Sequence, residues 1–229
     1  MADPVILTGL RLDGVPSYRR RNWQFARSRW EWQLGWPIFE GHYDDPGPFS
    51  LARASNRAAQ LAGDWQVALY VGADFMLANG SQADAAVRVA LATGQLTFAH
   101  DFLVHLSETE TADLLARGPE ETIVSAETRH LNTFSGSLAI THELWDRVGG
   151  FDERFLGWGY DDLAFWASCC AIGGGFQRVK GDAFHLHHPR TREENEGNPH
   201  HEENGVLGRR YLAAKGNRRA MLSILEERS

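Results

Sequence analysis

Two adjacent carboxylates, Asp161 and Asp162, follow a loop built from Gly157, Trp158, Gly159 and Tyr160. Glycine admits backbone conformations and close approaches closed to other residues. Trp158 and Tyr160 offer flat apolar faces on which a sugar ring could stack. Carboxylates accept hydrogen bonds from sugar hydroxyls, and one of the pair could take a proton from such a hydroxyl. From here on, Leu163, Ala164, Ala167, Cys170 and Ala171 recur at helical spacing, so both acids fall on a first helical turn. The helix dipole favours negative charge there and is expected to keep their pKa values low. Without context the same stretch reads as a glycine loop capping a helix with two solvated acids.

Two further groups stand apart in the chain. Asp74 closes the run Gly72-Ala73-Asp74 after an apolar segment, and histidines gather at 185, 187, 188, 200 and 201. Ten histidines and eight tryptophans are many for 229 residues. A hard divalent ion prefers oxygen ligands, and imidazole is a common partner to them.

The elements that must carry these groups alternate between strand and helix. Pro4 to Leu10 reads as a first strand. Thr8 lies on it, and Arg11 opens the loop that follows; in an open α/β sheet ligands bind at that carboxyl edge. A helix from Ser17 to Leu34 turns Trp23, Ala26, Trp30 and Leu34 to one side, and most of its arginines belong to a solvated face. Trp36 to Glu40 is a second strand, followed by a turn-rich loop with Asp44 and Asp45. Ser50 to Ala62 is an alanine-rich helix bearing Arg53 and Asn56, with alanines small enough to lie close to a sheet. Trp65 to Val71 is a strand, Ser81 to Ala92 a helix and Leu96 to Leu106 a strand. Ser107 with Glu110 forms a capping box for a short helix. Phe134 to Ile140 is a strand, and Thr141 caps a short helix to Val148. Phe176 to Lys180 is a last strand, and Gly205 to Leu225 a helical tail broken near Gly216.

Composition sets outer bounds. The length suits one domain. Hydrophobic content of 43% and charged content of 23% are ordinary for a globular protein. A net charge of −7 argues against a nucleic-acid partner, and no apolar run reaches the length of an integral membrane segment. The only cysteines, Cys169 and Cys170, are neighbours that cannot form a disulfide framework. A cytoplasmic location is the expectation they support.

The run Gly149-Gly150-Phe151-Asp152-Glu153-Arg154-Phe155, then Trp158-Gly159 and the acid pair, resembles the acceptor-side motif of nucleotide-sugar glycosyltransferases of the GT-A fold. It is most similar to the galactosyltransferase-type C-terminal segment, and the polypeptide N-acetylgalactosaminyltransferase-like families carry a similar Trp-Gly-acid segment. The resemblance implies an α/β, Rossmann-like single domain with a mixed central sheet flanked by helices. Residues 1–190 would form that domain, with a nucleotide-sugar-binding half at 1–80 and an acceptor-binding half at 81–190. Residues 191–229 would be a mobile loop and helical tail. The lack of an anchor suggests a bacterial or phage version.

The resemblance also implies roles. Asp74 matches the second acid of an Asp-X-Asp motif that holds Mn²⁺ or Mg²⁺ on a donor diphosphate, with Gly72 where the first acid would stand. His185 and His188 would complete the metal site, with His187 as substitute. Thr8, Arg11, Asp44, Asp45, Arg53, Asn56 and Asp74 would bind the donor, which the resemblance implies is a UDP-sugar. Trp158, Gly159, Tyr160 and Asp161 would orient a glycan or protein acceptor. Asp162, or else Asp161, would be the base of an inverting transfer, although retention is open because the polypeptide-modifying families retain. Two other classes stand beside this reading: a nucleotide- or sugar-binding module without catalysis, and a hydrolase centred on the histidines.

Overall fold

The apolar run Val5–Leu10 (β1) is buried at every residue, as a strand covered on both faces must be. It pairs in parallel with Ile38–His42 (β2) on one side and Val67–Val71 (β3) on the other. The structure, a computed structural model, describes residues 4–11, 17–43, 48–131, 133–189 and 198–228. Ser137–Thr141 (β8) joins β3 antiparallel, and Leu96–Phe98 (β5) and Phe176–Arg178 (β9) continue the sheet in the order β2-β1-β3-β8-β5-β9. A second sheet runs β4-β10-β6-β7, from Phe75–Leu77 (β4), Asp182–His185 (β10), Phe102–His105 (β6) and Arg129–Leu131 (β7).

Helices cover the larger sheet. Ser17–Leu34 (α1), Leu51–Ala62 (α2) and Gly80–Thr93 (α3) come from the first half; Glu108–Arg117 (α4), His142–Val148 (α5) and Asp161–Gly173 (α6) follow. His201–Ala214 (α7) and Arg218–Glu226 (α8) end the chain. Two expected caps are present: Thr141 accepts from the Leu144 N–H, and Ser107 and Glu110 cap each other. Ser50, expected inside its helix, instead caps α2 and accepts from the Arg53 N–H. The alanines of α2 do bring it onto the sheet. A Cβ at Gly9 would lie 2.8 Å from Ser55 Oγ, and one at Gly41 only 1.8 Å from the Ala54 carbonyl oxygen. Both strands need glycine there for α2 to lie this close.

Three further expectations are corrected. The segment from Leu96 to Leu106 is two strands in different sheets rather than one. Between them the Ala99 N–H still donates to Ser137, but the Asp101 N–H donates to Gly181, and the Asp101 carboxylate accepts from the Gly181 N–H. That switch of partner hands the chain from one sheet to the other. The strand expected from Phe134 starts at Ser137, because Gly136 at φ 106° breaks the extended run. The tail begins as helix at His201, and Tyr211, Ala214, Met221 and Ile224 are buried in the core shared with α5 and α6.

Arg29 departs from the solvated face of α1. It is 1% exposed, and its guanidinium donates to the carbonyls of Ala78, Pro119 and Glu121. Burial lowers its pKa to about 10, so the cation carries a desolvation cost. Its removal nevertheless leaves three part-buried carbonyls without their donor, at about 1 kcal/mol or more each. Arg29→Ala is therefore expected to destabilise the protein by about 3 kcal/mol or more, a fall of roughly 6–12 °C in melting temperature for a chain this size. An unchanged thermal melt would mean that water replaces the guanidinium at no cost.

Candidate active site

β3 delivers Asp74 through a tight turn in which the Gly72 N–H donates to Gly136 and the Phe75 N–H donates to Gly72. A Cβ at Gly72 would lie 2.6 Å from Phe75 Cδ2. The position aligned with the first acid of the motif thus has no room for a side chain while Phe75 keeps its place. Phe75 in turn packs edge-on against His185, with ring centroids 4.9 Å apart.

β10 lies antiparallel to β4 and ends at His185, opposite Phe75. The Leu186 N–H donates to the Asp74 carbonyl at 2.9 Å, which ties the chain beyond β10 to the turn. Asp74 Oδ1 then lies 3.4 Å from His185 Nε2, and Oδ2 lies 3.1 Å from His188 Nε2. Burial opposes charge on Asp74, but the two imidazoles outweigh it and hold the carboxyl well below the usual carboxylate range. Contact with Asp74 raises the His188 pKa, against burial and the nearby Arg19. Asp74, His185 and His188 offer ligand atoms within 4.8 Å of one another, the one such cluster among the described residues. One carboxylate and two imidazoles suit a divalent ion such as Mn²⁺. His187 does not join them; its N–H donates to Thr111 and its carbonyl accepts from Asn22. Tyr18 stacks on His188 and donates to the Pro189 carbonyl.

The acid pair lies at the same edge of the sheet. Tyr70 on β3, wholly buried and bonded to Ser55 Oγ at 2.9 Å, has its pKa raised by burial first and then by the charges of Asp162 and Asp161. Asp161 and Asp162 are half-buried at the start of α6. The expected low pKa values are overturned. Desolvation pushes Asp161 up to about 6, although backbone N–H groups of the first turn oppose it. Asp162 rises well above the ordinary range, by desolvation and then by the charge of Asp161. A helix dipole is worth about 0.3–1 kcal/mol at an exposed site, less than the cost of enclosing two like charges.

The Gly-Gly-Phe-Asp-Glu turn is anchored from α2, α7 and α8. Asn56 holds the Phe151 backbone at both ends of its amide, donating to the carbonyl at 3.0 Å and accepting from the N–H at 2.9 Å, and also donates to Glu153. Arg53 reaches Glu153 at 3.7 Å and Tyr43 at 3.3 Å. Asn56 and Arg53 are thus engaged with this turn. Asp152, almost fully buried, accepts from Arg154 and from the Tyr211 hydroxyl at 2.7 Å. Arg228, near the end of the chain, donates to the carbonyls of Val148, Gly149 and Gly150 where α5 ends. Asn198 donates to the carbonyls of Leu156 and Trp158, and Asn204 to that of Leu156.

Trp158 is 55% exposed, and the His201 ring lies parallel to it at 6.3 Å. Thr8 is buried with a hydroxyl that has no partner among the described residues. The Arg11 guanidinium sits 5.8 Å from the Phe49 ring centroid. Asp44 and Asp45, and residues 191–197 of the expected loop, lie outside the described residues. The roles of Tyr70, His201, Tyr211 and Arg228 escaped the reading of the sequence. Their partners lie tens of residues away, and only the histidine count pointed towards His201.

Residues 125–190 match a family model described as the N-terminal domain of galactosyltransferase. No curated protein matches the chain in sequence. Among solved structures, a mutant of Drosophila beta-1,4-galactosyltransferase 7, in complex with manganese, UDP-Gal and xylobiose, is 16% identical with a TM-score of 0.58. That match covers 86% of this chain and 76% of the other. The catalytic domain of the same Drosophila enzyme with xylobiose gives 16% identity and a TM-score of 0.57, over 91% of this chain and 80% of the other. Among the described residues no helix is long and apolar enough to cross a membrane. The chain thus has the fold of these GT-A proteins, and residues 125–190 within it resemble a galactosyltransferase domain.

Proposed function

We propose that the protein transfers a sugar from a UDP-sugar to an acceptor hydroxyl with inversion at the anomeric carbon, and that it requires a divalent ion. The observation that carries this reading is the shared edge. Tyr70 on β3 feels the charges of Asp161 and Asp162, and Asp74 with its two imidazoles lies in the turn that follows the same strand. A metal-binding group and a pair of poorly solvated carboxylates thus flank one region. In this reading residues 1–80 would serve the donor and 81–190 the acceptor.

Asp74, His185 and His188 would hold the ion, which when bound neutralises charge on a departing nucleoside diphosphate. Thr8, with its unpaired hydroxyl, and Arg11 lie towards the carboxyl edge of β1 and serve the donor. Trp158 provides the exposed face for an acceptor sugar, and Asp161 accepts one of its hydroxyls. Asp162 takes the proton of the attacking hydroxyl. Its desolvation keeps its affinity for that proton high. The manganese and UDP-Gal in the Drosophila crystal make UDP-galactose with Mn²⁺ the first donor to try.

The reading is tested by thermal melting with UDP, GDP and several nucleotide sugars, each with Mn²⁺, Mg²⁺ or chelator. A ligand bound 100-fold above its Kd adds about 2.7 kcal/mol of apparent stability. Stabilisation by one UDP-sugar that disappears with chelator is the expected result. Stabilisation by metal alone, with no nucleotide effect, would overturn it.

A further inference from the structure

Tyr160 is the one residue other than glycine at positive φ among the described residues, at 69°. Side chains of its size disfavour that conformation, and it persists only where surrounding structure enforces it. Tyr160 is also the N-cap of α6. Its carbonyl accepts the first helical bond, from the Ala164 N–H at 2.9 Å, and its side chain makes no cap. The direction in which α6 leaves, and with it the direction of Asp161 and Asp162, is therefore set by this one torsion.

The enforcement comes from α7. A Cβ at Gly208 would lie 2.5 Å from Tyr160 Cδ1 and 2.7 Å from its Cβ, and one at Gly205 would lie 3.6 Å from Cε2. Both glycines are buried, and three residues apart they share one face of the helix. The ring of Tyr160 is thus seated against bare helix backbone. Glycine weakens a helix interior, so helix propensity does not account for two glycines here; the ring does. His201, at the start of the same helix, stands 6.2 Å from the Tyr160 ring.

We propose that Gly208, assisted by Gly205, is a positioning residue for transfer: by seating the Tyr160 ring it holds the left-handed cap that aims Asp161 and Asp162 at the acceptor. The catalytic half of this inference rests on the transferase reading above; the control of the cap does not.

The test uses the full chain and four variants: Gly208→Ala, Tyr160→Phe, Tyr160→Gly, and the Tyr160→Gly/Gly208→Ala double. Backbone carbon chemical shifts of residue 160 report its conformation without substrate. UDP release from UDP-galactose with Mn²⁺ and xylobiose gives turnover, and calorimetry gives UDP–Mn²⁺ affinity. Alanine is the better helix former, so Gly208→Ala should fold, which circular dichroism checks. Gly208→Ala should move the residue 160 shifts out of the left-handed range. It should lower kcat at least tenfold and leave UDP–Mn²⁺ affinity within twofold. Tyr160→Phe keeps the ring and should leave the residue 160 shifts in the left-handed range. In the Tyr160→Gly background, Gly208→Ala should change kcat by less than twofold, because no ring remains to displace. Equal losses in both backgrounds, or unmoved shifts in Gly208→Ala, would overturn the proposal. If the parent releases no UDP from any donor, the transferase reading falls. Residue 160 shifts unmoved in Gly208→Ala would then sink the cap as well.

Discussion

Asp74→Asn is expected to abolish metal-dependent nucleotide binding and to cut sugar transfer by about a thousandfold or more, roughly 4 kcal/mol of transition-state stabilisation. The substitution keeps the size of the side chain and removes its charge. His185 and His188 both face this one carboxylate, at 3.4 and 3.1 Å. Without it two imidazoles remain, and no acid is available at position 72, where Phe75 occupies the space a side chain would need. Calorimetry with Mn²⁺ and UDP separates the two losses. Metal affinity should fall first, and UDP affinity should then become insensitive to metal. His185→Ala and His188→Ala should each weaken Mn²⁺, whereas His187→Ala, whose residue stands outside the cluster, should not. An Asp74→Asn protein that kept Mn²⁺-dependent UDP binding would remove the triad from the donor site.

How far the sequence exposed these features depends on the range of the interactions that fix them. Helix starts are local. Ser107 with Glu110, and Thr141, sit within three residues of the N–H groups that they cap, and both were legible. The small residues of α2 likewise signalled close packing, although Gly9 and Gly41, its counterparts on the strands, became meaningful only once the helix was in place. The switch of sheets after Phe98 was hidden, because the Asp101 N–H finds its partner in Gly181, eighty residues on. Arg29 looked like any other arginine of a basic helix; the carbonyls that draw it inside belong to Ala78, Pro119 and Glu121. The acid pair shows the limit most plainly. Adjacent acids at a helix start were visible, but their elevated pKa values come from the neighbours that enclose them, among which Tyr70 lies ninety residues earlier. Local rules supplied the dipole, and tertiary burial reversed its effect.

That reversal gives the second large prediction. Asp162→Asn is expected to lower kcat by about a hundredfold to ten-thousandfold, the usual worth of a positioned general base, while UDP–Mn²⁺ affinity stays within a few fold. Asp162 is favoured over Asp161 by the surroundings of each carboxylate. Asp161 is stabilised by backbone N–H groups at the helix start, whereas the charge of Asp162 is opposed both by burial and by Asp161. The carboxylate with fewer stabilising partners is the stronger base. The pH dependence follows in sign. A base works only when deprotonated, so transfer should rise with pH as the pair ionises, and should be lost below that range. Because burial moves the pair upward, with Asp161 at about 6, the acid limb of kcat should lie well above the ordinary aspartate range near 4. Asp161→Asn removes the neighbouring charge that raises Asp162, so its acid limb should shift to lower pH with a smaller loss of rate. Measured kcat–pH profiles of the parent and both variants decide the matter. Full turnover by Asp162→Asn would exclude it as the base. A large loss in Asp161→Asn alone would transfer the role to its neighbour, whose anchored carboxylate would then have to reach the acceptor from the first turn of α6.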